Sequence, residues 1–199
     1  MAPAITGARF CLRVLGVDPA AAGATGYGIV ECEGRSARML HTGALRLHAR
    51  MAFPARLSEI YRMISGLIEE YSPDALAVES VFAALNQRTA LQLAEVRGVI
   101  LLAAGQARIP AHSYSPREVK SSVAGYGNAS KQQVQQMVKS LLRLAQAPQP
   151  SDAADALAVA LCHAQWAQSE ARLGVVLIAS KRQTRTRAVA ISHAAARWV

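Results

Sequence analysis

Acidic residues are scarce in this chain. It holds 13 Asp and Glu against 22 Lys and Arg, a net charge of +9. That balance favours a polyanionic partner, either nucleic acid or an anionic membrane surface. Charged residues of both signs make up only 18% of the chain, which excludes the composition of a disordered protein. Cysteine is equally sparse. Cys11, Cys32 and Cys162 are far apart and form no CxxC pair, so neither a zinc ribbon nor a disulfide framework is expected. A reducing cytosol is the simple setting for such a chain. No stretch approaches the roughly 18 apolar residues of a membrane span. The first eleven residues lack a long apolar core after a basic start, so no secretory signal is expected and a cytoplasmic location is. Internal repeats and low-complexity linkers are missing too.

What remains is a chain of 199 residues, 52% hydrophobic, enough for one domain with a sizeable core and short for two. Residues 12–17 are aliphatic and β-branched and predict a buried strand that stops at Asp18-Pro19, since Pro cannot donate to a ladder. A small, glycine-containing loop over 20–26 precedes a second strand at 27–32. A third strand is predicted at 39–47, with Gly34-Arg35 as a hairpin turn between them. Leu57, Ile60, Tyr61, Ile64, Leu67 and Ile68 then fall at helical spacing, and the predicted helix runs from Pro54 to Tyr71. A short strand over 74–78 ends at Glu79. After it come a long helix over 88–107, a strand over 110–114 and a short helix from Pro116 to Val123. Ser130 is placed to cap a helix through Leu144, and Ser151 one that runs to about Arg172. Three strands, helix, strand, helix, strand and helices describe a mixed α/β sheet with helices on its faces.

Because acids are few, their positions carry information. Asp18 ends the first strand and Glu79 the fourth. Asp152 and Asp155 lie in Ser-Asp-Ala-Ala-Asp, and a spacing of three puts both on one helix face. The Ala residues between them let that turn approach a sheet. Four converging acids would repel one another unless a cation lay between them. Oxygen-only ligands select Mg²⁺ or Mn²⁺ over zinc. The chemistry that uses this set is two-metal hydrolysis of a phosphodiester. Spacing alone leaves other readings open. Strand-end acids also serve as turn residues, and Asp152 and Asp155 suit the first turn of any helix. The loop after Asp18 also suits a nucleotide phosphate, as in actin-like ATPases.

Several segments together resemble the RuvC family of junction resolvases, which has an RNase H-like fold. They are Arg13-Val-Leu-Gly-Val-Asp-Pro19 with Thr25-Gly-Tyr-Gly28, Ala77-Val-Glu-Ser-Val-Phe82, and Leu91-Gln-Leu-Ala-Glu-Val-Arg-Gly98. Tyr114-Ser-Pro-Arg-Glu-Val-Lys120, Lys131-Gln-Gln-Val-Gln-Gln-Met-Val138 and Ser151-Asp-Ala-Ala-Asp-Ala-Leu-Ala-Val-Ala160 follow in family order. The resemblance covers roughly residues 12–165. It departs at Ala20, where the family usually has Gly, and in a turn to Thr25 one residue longer than usual. It implies a five-stranded mixed sheet flanked by helices, and metal-dependent resolution of Holliday junctions by paired hydrolysis in recombination and repair. It implies Asp18, Glu79, Asp152 and Asp155 as catalytic acids and ligands to two Mg²⁺ ions, with Mn²⁺ as a substitute. Lys120, Lys131 and Phe82 fall at DNA-facing positions of the family. Four-way junction DNA, a second copy bound through the helix at 88–107, and the branch-migration motor complex of the same pathway are the implied partners.

The resemblance divides the chain into an N-terminal extension (1–11), a nuclease domain (12–172) and a basic C-terminal tail (173–199). Residues 165–199 hold six of the 22 basic residues and one acid, a charge of +5, which leaves +4 on the first 164. The tail is expected to be disordered or loosely packed. An RNA-cutting nuclease of the same fold, a non-catalytic nucleic-acid-binding module and an actin-like ATPase are the rivals. The Asp-Ala-Ala-Asp run with the helix at 91–98, the presence of all four acids, and the chain's length weigh against them in turn.

Overall fold

The computed structural model describes residues 11–34, 36–48, 50–80 and 87–173. The chain divides into two compact units, residues 1–165 and 166–199, and the sheet lies in the first. The tail beyond residue 173, the N-terminal extension to residue 10 and Phe82 lie outside the described residues.

The first three strands, β1 (Cys11–Asp18), β2 (Ala24–Glu33) and β3 (Ser36–Arg46), form an antiparallel meander. Gly34, at φ +58°, makes the second turn. β2 begins at Ala24, three residues before the predicted start. Gly26 pairs with Asp18 of β1, and Ala24 and Thr25 pair with Arg46 and Leu45 of β3. Helix α1 (Phe53–Tyr71) follows and ends on Ser72, whose left-handed backbone returns its N–H to Ile68 O before Pro73. β4 (Ala75–Glu79) then pairs parallel with β1. Helix α2 (Gln87–Gln106) leads to β5 (Ala111–Tyr114), parallel to β4. The order across the sheet is β3-β2-β1-β4-β5, a mixed five-stranded sheet as expected. Helices α3 (Pro116–Ala124), α4 (Lys131–Leu141) and α5 (Ser151–Leu173) complete the chain.

Alternation along the strands sorts the core to two faces. Leu15, Val17, Ile29, Leu76 and Val78 face α1 and α2, meeting Ile60, Ile64, Val96 and Ile100. Val14, Val30 and Ala77 face the other way, against Val119, Val134, Val138 and the buried run Leu157–Cys162. That central position explains why α5 is apolar on every side from Ala153 to Ala164 apart from Asp155 and His163. Helices α3 and α4 both begin with capping boxes, Ser115 with Glu118 and Ser130 with Gln133. α4 ends at Leu141 rather than the predicted Leu144, where Arg143 turns to φ +52°. Among the described residues no helix is long and apolar enough to cross a membrane.

Candidate metal centre

Register places the first two acids. Val17 pairs with Val78 in the parallel β1–β4 ladder, so Asp18 and Glu79, one residue further on, leave neighbouring strands at the same end of the sheet. The second two come from α5, which must lie unusually close to the strands for its first turn to reach them. Two glycines permit this. A Cβ on Gly26 would overlap the carbonyl oxygen of Asp152, and a Cβ on Gly16 would overlap that of Ala156. Ala153 and Ala154, both fully buried, keep the helix side of the contact equally thin. Thr42, on β3, donates to Ala153 O at 3.4 Å and ties the same turn to the sheet.

Carboxylate oxygens of Asp18, Asp152 and Asp155 consequently lie within 4.8 Å of one another. Glu79 joins through a side-chain hydrogen bond with Asp18. It also lines, with Asp155, Lys120 and Lys131, a cavity of about 210 Å³. Burial, followed by the charges of Glu79 and Asp155, pushes the Asp18 carboxyl up to about 8. Burial raises Glu79 as well, but the hydrogen bond from Asp18 opposes the rise. Burial and the neighbouring carboxylates therefore favour the protonated form of Asp18. Lys131 sets its Nζ 2.6 Å from Asp155 Oδ2. That bond, the largest influence on it, raises the Lys131 ammonium.

The set fits a hard divalent cation. Every donor is a carboxylate oxygen, and among the described residues the one lysine bonded to the set engages Asp155. The loop between Asp18 and β2, where the sequence has Ala20 and an extra residue, is anchored from outside. Arg56 Nη2 donates to Ala21 O at 2.8 Å, and Ala20 N donates to Thr25 Oγ1 at 3.4 Å.

The model of the family described as crossover junction endodeoxyribonuclease RuvC matches residues 14–163. The chain belongs to the RuvC family. It is 50% identical over 151 residues to the crossover junction endodeoxyribonuclease RuvC of Alkaliphilus metalliredigens, covering 76% of this chain and 92% of that one. Identity to the RuvC of Chloroflexus aggregans is 48% over 164 residues, 82% of this chain and 99% of that protein. Thermus thermophilus RuvC in complex with Holliday junction substrate superposes with a TM-score of 0.75 at 34% identity, covering 79% of this chain and 96% of that one. The cluster of Asp18, Asp152 and Asp155 is compatible with divalent metal use.

Of the residues singled out in the sequence, Asp18, Asp152 and Asp155 converge directly, Glu79 adjoins them, and Lys120 and Lys131 border the same cavity. Three supporting contacts went unread: the Lys131–Asp155 pair, the Arg56 anchor, and a buried bond of 2.7 Å between the Tyr114 hydroxyl and His163 Nδ1. The glycines carried the one available signal. Gly16, Gly26 and Gly28 sit at alternate positions on paired strands, which is what a closely seated helix needs.

Proposed function

We propose that this chain resolves four-way DNA junctions as a homodimer in the cytoplasm, hydrolysing one phosphodiester in each of two opposed strands. In this reading Asp18, Glu79, Asp152 and Asp155 are the catalytic acids and hold two Mg²⁺ ions, with Mn²⁺ able to replace them. What carries it is the meeting of acids from two strand ends with a helix start, in a chain of this family. Mg²⁺ bound there would supply Lewis-acid polarisation of the phosphodiester and acidify the attacking water. Asp18 would hold such a cation as the carboxylate, with its proton released to solvent. Asp155 would hold a cation through the carboxylate that bonds Lys131, which would leave the ammonium available to a phosphate oxygen. Lys120, on the same cavity wall, adds a second positive charge near the scissile group. Phe82 stacks on an unpaired base at the crossover.

A four-way junction presents two symmetry-related strands, and nicks must be paired to leave ligatable duplexes. Two sites related by a twofold axis match that symmetry. The branch-migration motor complex of the same pathway is the further partner on this reading. Incubation of the full chain with four-way DNA, duplex DNA and RNA in Mg²⁺ tests the proposal. Paired nicks in four-way DNA alone are expected. Equal cutting of duplex, or cutting of RNA only, would refute it.

A further inference from the structure

Between Glu118 and Asp152 the chain has no acidic residue over 33 positions, while Lys120, Lys131, Lys139 and Arg143 give that stretch a charge of +4. The rest of the first 164 residues carries 12 basic and 12 acidic side chains. The whole excess positive charge of the first 164 residues therefore lies on the second half of α3, the loop after it, α4 and the turn beyond. Its outer side is an open concave surface bordered by Tyr126, Gln132, Gln136 and Met137. Ser140 continues the exposed side of α4, and Arg143 is exposed on the turn just beyond it. Tyr126, 48% exposed, projects from a loop with glycine on either side. Ser130 and Gln133 are occupied in the capping box, so recognition on this side falls to the other side chains. Gln, Ser, Tyr and Arg are the types that bind phosphate oxygens without reading sequence. The surface adjoins the metal centre, since Lys131, which directly precedes Gln132, lines the cavity with Glu79 and Asp155.

We propose that the outer side of α3 and α4 carries one duplex arm of the four-way DNA up to the acid cluster. Its phosphates lie on Gln132, Gln136, Ser140 and Arg143, and Tyr126 lies against the backbone at the loop. This rests on the junction reading above and assigns the path of an arm. The absence of carboxylates along the path decides for a polyanion over a basic or apolar protein segment.

Two exposed amides permit a near-isosteric test in the full chain. Gln132→Glu with Gln136→Glu adds two negative charges without removing a buried group. Binding is read by anisotropy of labelled four-way and duplex DNA in EDTA, across a salt series, with melting temperature as the check on folding. The expected result is binding about tenfold weaker or more to both DNAs at low salt. Arg143→Gln is expected to reduce the log–log salt slope by about 0.9, one phosphate contact. Ser58→Glu with Arg62→Gln makes the same charge change on α1, across the sheet, and is expected to bind like wild type. Unchanged binding by the Gln132/Gln136 variant, or equal weakening by the α1 variant, overturns the proposal. The first outcome would leave the surface to a protein partner. Failure of the wild type to cut four-way DNA would instead refute the junction reading, and a duplex-binding loss confined to the α4 variants would still stand beside it.

Discussion

On the proposed reading, Asp18 is a residue whose environment opposes folding in favour of binding a cation. Its pKa in the fold, about 8, lies above the unfolded value of 3.8. Its contribution to stability is thus complete below 3.8 and is lost as pH rises through 8. Asp18→Asn removes that penalty together with a ligand charge. The metal-free variant should melt higher than wild type at pH 8 to 9, by about 2–4 °C for each kcal/mol relieved, yet should not cut four-way DNA in Mg²⁺. A variant that cuts at the wild-type rate would exclude Asp18 as a catalytic acid. His163 has the opposite linkage. It is only 3% exposed, and burial, with His112 stacked 4.2 Å away, lowers its pKa from 6.5 to about 4. Its contribution is complete above 6.5 and lost as pH falls through 4. His163→Leu should flatten the stability loss between pH 6.5 and 4, read by thermal melts, while costing about 1–3 kcal/mol at pH 7 for the hydroxyl left on Tyr114. An acid limb as steep as that of wild type would show that His163 is not the titrating group. The four acids were legible because they were few and stood at element ends. The Lys131–Asp155 pair and the Tyr114–His163 bond were not, since each joins residues that only the packing of α4 and α5 brings together.

Element boundaries followed from pattern where pattern was strong. α1 and α2 differ by one residue from the helices that periodicity predicts, and the strands differ where pairing, rather than composition, sets the end. β2 is the example, because Ala24, Thr25 and Gly26 read as loop until Arg46 and Leu45 of β3 and Asp18 of β1 supply their partners. The faces of α2 separate two roles. Val96, Ile100, Ala103 and Ala104 are buried against the sheet. Leu91 and Leu102 are 66% and 54% exposed, and Gly98 and Gly105, on the same side, have open space before them. Positions 91, 98, 102 and 105 repeat with the heptad spacing of a helix that meets a second helix. On the proposed function this is the dimer contact. Leu91→Glu with Leu102→Glu should convert the dimer to monomer in sedimentation at micromolar concentration, with melting of the monomer little changed because neither side chain is in the core. It should also uncouple the two nicks in four-way DNA. A wild type that sediments as monomer with and without DNA would remove the dimer from the reading.

For the whole molecule, the charge map divides the basic residues into two groups with different duties. Of the +4 of residues 119–151, Lys120 and Lys131 border the acid cluster, and on the proposed reading the group orients DNA. The +5 of residues 165–199 is carried by Arg172, Lys181, Arg182, Arg185, Arg187 and Arg197 against Glu170. The residues past 173 belong to the part of the chain that the family model does not match. A cluster of that kind, without a partner motif of its own, adds phosphate contacts that any DNA satisfies. Each contact contributes about −0.9 to the salt slope on duplex DNA. Deleting residues from Gly174 onward should therefore weaken binding to four-way and duplex DNA by similar factors. It should flatten both salt slopes and leave the ratio between the two affinities in place. Cutting at saturating protein should persist, because Asp18, Glu79, Asp152 and Asp155 all precede the deletion. The competing duty is structural. Val175–Ile178 is apolar, and if it docks on the nuclease domain the truncated chain should lose solubility or melt markedly lower. A soluble, equally stable truncation with an unchanged salt slope would exclude both duties. A truncation that kept duplex binding but lost preference for four-way DNA would assign junction selectivity to the tail and refute its role as a source of contacts that any DNA satisfies.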